Sequence, residues 1–312
     1  MSSAPAGVLR IATRKSALAL WQAEHVAAAL RARHPALTVE LVPLTTKGDR
    51  IQDRSLAAIG GKGLFIKELE SALEENRADV AVHSMKDVPS EMPQGLLIAA
   101  VLPRADARDA LITARAPSLA QLPRGARLGT SSLRRQAQLL AARGDLRIEP
   151  LRGNVDTRLR RLESGELDAI VLACAGLMRL GLEGRITARL EPEISLPAVG
   201  QGVIGVECRA DDARSRALVQ VLEDGPTRDA LEAERAFARR LGGSCQSPVA
   251  AHARLEGDAL TLEGLVAEPD GSRIFRDRLS DRPQAARELG IRLAERVLAA
   301  GAAPLLERLR DG

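Results

Sequence analysis

The sequence predicts an α/β protein built from two similar lobes, each with a mostly parallel sheet, followed by a small α+β unit. Three observations carry that prediction. Short apolar strands alternate with helix-length runs through the first two-thirds of the 312 residues. The same order of elements occurs twice. From about Pro226 the pattern changes to one helix, two strands and a C-terminal helix.

In chain order, Val8–Thr13 reads as a strand, and Ser16 is placed to cap a helix over Ala17–Arg33 that His34-Pro35 stops. A second strand, Thr38–Leu44, runs into the polar loop Thr45–Asp49. The glycine-rich Gly60–Gly63 precedes a helix from about Leu64 to Asn76, and Asp79–His83 is a short buried strand ending in Ser84-Met-Lys-Asp87. The second half repeats this order. Arg127–Thr130 echoes Arg10–Thr13, Leu146–Leu151 is the next strand, Val155–Ser164 the next helix, and Asp168–Leu172 echoes Asp79-Val-Ala-Val82. Val203–Cys208 is a further strand, read as returning to the first lobe. The third unit holds a helix over Asp229–Leu241, the turn Gly242–Pro248, and strands near Ala250–Leu255 and Ala259–Val266. Domains are expected at 1–102 joined by 203–220, at 103–202, and at 221–312.

Composition narrows the function classes. Only five of the 45 basic side chains are lysines, so 40 are arginines, and all five lysines precede residue 90. Arginine clusters are therefore expected on solvated helix faces, and Lys67, Arg160 and Arg161 are read that way. The net charge is only +4, and one Trp, three Phe and no Tyr leave few platforms for stacking bases, so no nucleic-acid partner is expected. No segment has the apolar length of a membrane span, and the first residues carry no basic stretch followed by an apolar run, so a cytoplasmic location is expected. Cys174, Cys208 and Cys245 are too few and too far apart for a disulfide framework. Cys174 and Cys208 read as buried strand residues, whereas Cys245 sits among small residues in a turn. Four histidines without paired spacing give no metal site, and His83 reads as a packed strand residue.

The chemistry-bearing residues sort by strand polarity. Arg14 and Ser16, Ser84–Asp87, Thr130–Arg135 and Arg152 all fall where a strand ends, the place where open α/β sheets bind ligands. Gly129-Thr-Ser-Ser-Leu-Arg-Arg135 sets hydroxyls and adjacent guanidiniums at a strand-to-helix turn, where backbone N–H groups and forked donors favour carboxylate or phosphate. So many cationic groups suit a ligand with several carboxylates. Asp87, beside Lys86, is either a loop cap or a carboxylate held ionised among cations. Two classes fit these observations: an enzyme, or a binding protein for a small polyanion.

The chain resembles the porphobilinogen deaminase (hydroxymethylbilane synthase) family along nearly its whole length. The residues that carry the resemblance are Arg10–Ser16 with Trp21-Gln22, Gly60–Phe65, Val82–Pro89, Gly129–Gln136, Leu151–Asn154, Leu172–Leu177, Glu234-Arg235 and Gly243–Gln246. The resemblance implies two periplasmic-binding-protein-like lobes with mostly parallel sheets plus a small α+β C-terminal domain that carries the cofactor. It implies a monomeric transferase that condenses four porphobilinogen molecules head to tail with loss of ammonia, giving hydroxymethylbilane for porphyrin and heme biosynthesis. The implied cofactor is one dipyrromethane per chain, held by a thioether to Cys245. Asp87 is the implied catalytic carboxylate, moving protons and stabilising positive intermediates. Lys86, Ser84, Thr130, Ser132, Arg134 and Arg135 are the implied cofactor-binding residues. Arg14, Ser16, Gln22, Lys62, Phe65, Arg152, Arg158 and Arg179 are those for substrate. The chain departs from the family pattern at Ser244 and Ser247, where a glycine and a branched residue are more usual.

Overall fold

Strand β1 (Gly7–Arg14) buries Leu9, Ile11 and Ala12, and Ser16 ends the turn that follows by capping α1 (Ala17–Arg33), its Oγ accepting from the Ala19 N–H at 3.4 Å. The computed structural model describes residues 7–50, 66–242 and 247–311. His34 closes α1 by donating its N–H to the Leu30 carbonyl at 2.8 Å, and Pro35 cannot extend the helix. Then come β2 (Leu37–Leu44), the single turn α2 (Lys47–Arg50), α3 (Lys67–Glu74), β3 (Val80–Ser84) and β4 (Leu96–Val101). Helix α3 buries Leu69, Ala72 and Leu73 against Ala12 and Ala81.

The next stretch holds β5 (Asp109–Thr113), β6 (Arg127–Gly129), α4 (Leu133–Ala142), β7 (Arg147–Glu149), α5 (Val155–Glu163), β8 (Ala169–Ala173), α6 (Cys174–Arg179) and β9 (Ala188–Leu190). β7 is shorter than the expected 146–151, because only Arg147–Glu149 pair with β6. Cys174 opens α6 rather than lying in a strand. It is fully buried, like Cys208, and burial pushes the two thiols up to about 12 and about 11. β10 (Ile204–Arg209) and α7 (Ala213–Val219) follow.

The two five-stranded sheets share one topology. The first has the order β2-β1-β3-β10-β4 and the second β7-β6-β8-β5-β9. In each, four strands point one way, and the fourth strand in the order, β10 or β5, runs against its neighbours. The reversed strands are exchanged along the chain: β5 follows β4 of the first sheet, and β10 follows β9 of the second. The repeat extends to side chains. Arg10 donates its N–H and guanidinium to Asp79 at 2.7 and 2.8 Å, and the Asp79 N–H returns to the Arg10 carbonyl at 2.9 Å. Arg127 and Asp168 repeat this at 2.8, 3.3 and 2.9 Å.

The last segment holds α8 (Gly225–Leu241), β11 (Val249–Glu256), β12 (Ala259–Ala267), β13 (Ile274–Asp281), α9 (Ala286–Val297) and α10 (Ala303–Asp311). Its sheet is antiparallel in the order β11-β12-β13, one strand more than expected. Phe237 of α8 is fully buried over Gly264 of β12, where a Cβ would come within 2.6 Å of the ring. Among the described residues, 7–50, 66–105 and 203–228 form one compact unit. Residues 106–202, 229–242 and 247–311 form the other.

Candidate active site

In the first unit the polar residues gather at the carboxyl edge of β1 and β3. Arg14 ends β1 and pairs with Asp49, its Nε 3.2 Å from Oδ2. Burial alone would raise the Asp49 carboxyl, but Arg14 and Thr46 outweigh it and hold it below the usual range. Ser84, at the end of β3, exchanges hydrogen bonds with Gln22 of α1. The Gln22 amide donates to Oγ at 2.8 Å, and the hydroxyl donates to Oε1 at 3.2 Å. Gln22 is buried, so it supports Ser84 from within rather than lining an open surface. Beyond Ser84, a single 3₁₀ turn, Met85–Asp87, brings Lys86 and Asp87 to the sheet edge, both half-exposed. The Asp87 carboxylate forms no hydrogen bond or ion pair with any described residue.

In the second unit the corresponding edge is a web of hydroxyls and guanidiniums. Thr130 Oγ1 accepts from the Ser132 N–H at 3.2 Å, and Ser132 Oγ caps α4 by accepting from Arg135 N at 3.4 Å. Ser131 Oγ bonds both the N–H and the carbonyl of Leu151 at 3.0 Å, tying this turn to the exit of β7. Arg152 follows there, half-buried. It forms no hydrogen bond or ion pair with any described residue, and burial alone pushes its guanidinium pKa down. Arg158 of α5 donates to the Gly153 carbonyl at 2.8 Å. Arg179, at the end of α6, donates to the Gly202 carbonyl at 2.7 Å, and burial pushes it down to about 10.

Arg134 and Arg135 lie deeper than the sequence suggests, only 5% and 7% exposed. Both grip Asp109, the fully buried first residue of β5, which no sequence signal singled out. Its carboxylate accepts from Arg134 Nη1 at 2.8 Å and Nη2 at 3.3 Å, and from Arg135 Nε at 3.0 Å and Nη2 at 2.7 Å. Ser195 Oγ and Gln201 Nε2 complete its shell at 2.8 and 3.0 Å. Burial would raise the Asp109 carboxyl, but the two guanidiniums hold it well below the usual carboxylate range. Burial also pushes Arg134 down. Two guanidiniums on one carboxylate leave this buried cluster with one positive charge in excess, which an anionic ligand would offset.

The site residues therefore fall into two sets. Arg14, Ser16, Gln22, Ser84, Lys86 and Asp87 share one sheet edge, and Thr130, Ser132, Arg134, Arg135, Arg152, Arg158 and Arg179 share another. Lys62, Phe65 and Cys245 lie outside the described residues. The donors of the second set, a surplus cation and a half-buried guanidinium without a partner among the described residues, fit a group bearing carboxylates.

Residues 9–217 match the family model described as porphobilinogen deaminase, dipyromethane cofactor binding domain, and residues 229–299 match that of the porphobilinogen deaminase C-terminal domain. The chain belongs to the porphobilinogen deaminase family. A curated porphobilinogen deaminase from Xanthomonas campestris pv. campestris (strain B100) is 58% identical over 301 residues, covering 96% of this chain and 99% of that protein. Among solved structures, the chain is similar to the periplasmic VFT2 domain of BvgS from Bordetella pertussis, with a TM-score of 0.42 and 15% identity over 68% of this chain and 85% of that one. It is also similar to the periplasmic aliphatic sulphonate binding protein SsuA from Escherichia coli, with a TM-score of 0.40 and 14% identity over 75% of this chain and 70% of that one. Within the family match, the model named for cofactor binding spans the residues of both cation-rich sheet edges, and Cys245 falls in the C-terminal match.

Proposed function

We propose that this chain is a transferase that condenses four porphobilinogen molecules head to tail, releasing ammonia at each step, and yields hydroxymethylbilane for tetrapyrrole biosynthesis. What carries the reading is the family match, which runs through both lobes and the C-terminal segment. The dipyrromethane group, when bound, supplies a covalent primer for the growing chain, and Cys245 is its proposed anchor. The remaining chemistry belongs to side chains already described. Asp87, with no described partner to compete for it, faces the substrate ammonium as its C–N bond breaks and ammonia leaves. It then takes up the proton lost from the pyrrole carbon as the new C–C bond forms and releases it to solvent. Its fixed negative charge stabilises the positive charge that develops on the substrate. Lys86, Ser84, Thr130, Ser132, Arg134 and Arg135 hold the cofactor's carboxylates. Arg14, Ser16, Arg152, Arg158 and Arg179 hold the acetate and propionate groups of the substrate, with Lys62 and Phe65 assigned to the same role. Gln22 acts beneath Ser84.

We further place the protein in the cytoplasm as a monomer acting without nucleic acid. Among the described residues no helix is long and apolar enough to cross a membrane. The test of the function is the intact mass of the purified protein beside that of Cys245→Ala. An excess mass of two linked pyrrole units, lost in the variant, is expected. An unmodified wild-type mass that persists after incubation with porphobilinogen would overturn the proposal and favour a protein that only captures small polyanions.

A further inference from the structure

The carboxylate of Asp87 has no partner among the described residues, so its position is inherited from the backbone that presents it. That backbone is held at three points. On one face of β3, Ser84 is tied to Gln22 of α1. At the turn itself, the Met85 N–H donates to the Val203 carbonyl at 3.0 Å. The Met85 side chain fills the space left by Gly205, where a Cβ would come within 2.2 Å of the sulfur. On the other face, His83 Nε2 lies 2.7 Å from Glu207 Oε2, with both residues buried. His83 and Glu207 are diagonal across the antiparallel β3/β10 ladder, in which His83 is opposite Gly205 and Glu207 opposite Ala81.

This polar pair is placed where the fold does not require one. It lies on the sheet face that α3 covers with Leu69, Ala72 and Leu73. Glu207 Oε1 is buried with no hydrogen-bond partner among the described residues, a costly state for a carboxylate. Half-buried Glu70 of α3 adds a second acid nearby, its carboxyl pushed up by burial and then by Glu207. The second lobe supplies the control. Aligning β8 and β5 with β3 and β10 through their registers puts Leu172 at the position of His83 and Ile112 at that of Glu207. Both are buried and apolar, in the same topology. A well-packed hydrophobic pair is as good for stability as a buried ionic one. The lobe that carries the polar pair is the one whose strand end bears Lys86 and Asp87.

We infer that His83 and Glu207 are positioning residues, whose hydrogen bond fixes the end of β3 and thereby the placement of Asp87. The inference rests on the proposed role of Asp87 only for its effect on rate. The decisive variant gives the first lobe the second lobe's residues, His83→Leu with Glu207→Ile, in the full-length protein. Hydrogen–deuterium exchange over residues 84–89 is measured together with kcat, KM and cofactor mass. Exchange in that segment is expected to rise about tenfold or more while the rest of β1 and β3 stays protected. The same variant should lose about tenfold in kcat, with KM changed less than about twofold and the cofactor mass retained. Glu207→Gln, which keeps an oxygen acceptor for Nε2, should restore exchange to within about twofold of wild type. Unchanged exchange in the double variant, or Glu207→Gln exchanging as fast as the double variant, would overturn the inference. Faster exchange with unchanged kcat would uphold the positioning and count instead against Asp87 as the catalytic group. If the double variant does not unfold cooperatively, the same exchange measurement on Glu207→Ile decides.

Discussion

At the amino ends of their parallel strands the two lobes match residue for residue: Arg10 grips Asp79 as Arg127 grips Asp168. At the carboxyl ends they part. Where the first lobe has Ser84-Met-Lys-Asp87, the second has Ala173-Cys-Ala-Gly176, with glycine at the position of Asp87. The second lobe's carboxylate is on the reversed strand instead, as Asp109, at the position Ile204 holds in the first. One lobe thus keeps a carboxylate with no partner among the described residues, and the other commits its carboxylate to ordering cations. A duplicated scaffold carries opposite electrostatic tasks by changing a few residues at strand ends.

The division of tasks between the lobes depends most heavily on Asp87. Asp87→Asn is expected to slow product formation by about 10²–10⁴-fold while leaving stability in urea within about 0.5 kcal/mol of wild type. A large loss of stability would mean that this carboxylate is structural after all. Asp109→Asn should do the reverse. It leaves two buried guanidiniums without their counter-charge, and a loss of about 3 kcal/mol is expected in the same urea titration. A stability close to wild type would show that the cluster does not depend on that charge. The smallest effect concerns what the lobes share. Asp79→Asn and Asp168→Asn should each lose about 1 kcal/mol, and by similar amounts. For Asp79 burial opposes ionisation but Arg10 prevails, and for Asp168 the Arg127 hydrogen bonds dominate, so both carboxyls are held below the usual range. Their contribution is therefore present above the unfolded carboxyl pKa of about 4. It fades as pH falls through the lower folded value, and the variants should converge with wild type in acid. Unequal losses at neutral pH would mean that the repeat is geometric but not energetic.

Much of this architecture was legible because local signals and burial agree. Ser16 and His34-Pro35 bound α1 at the residues predicted, and the echo of Arg10–Thr13 in Arg127–Thr130 marks the duplication. The short strands were harder. β7 and β9 have three residues each, too few for a period to emerge, and half of the eight residues of β13 are charged. At the site, strand polarity located the cationic residues, but sequence alone read Arg134 and Arg135 as open donors. Their burial follows from Asp109, a single acid before an apolar run, which only the exchange of β5 into the second sheet brings beneath α4. The His83–Glu207 pair is hidden for the same reason, since 124 residues separate its members.

That exchange of strands also bears on synthesis. Among the described strands β4 pairs only with β10, and β3 meets β10 along its outer edge, so the first sheet lacks its fourth strand until residues 204–209 have been translated. At the usual ~5–20 residues per second, the stretch between β4 and β10 takes on the order of ten seconds. Throughout that interval the nascent lobe exposes the backbone of β3 as an unpaired apolar edge, the kind that recruits other chains. A ribosome that stalls before residue 204 would therefore release a fragment prone to aggregate, and the strand that completes the lobe is among the last of its parts to arrive.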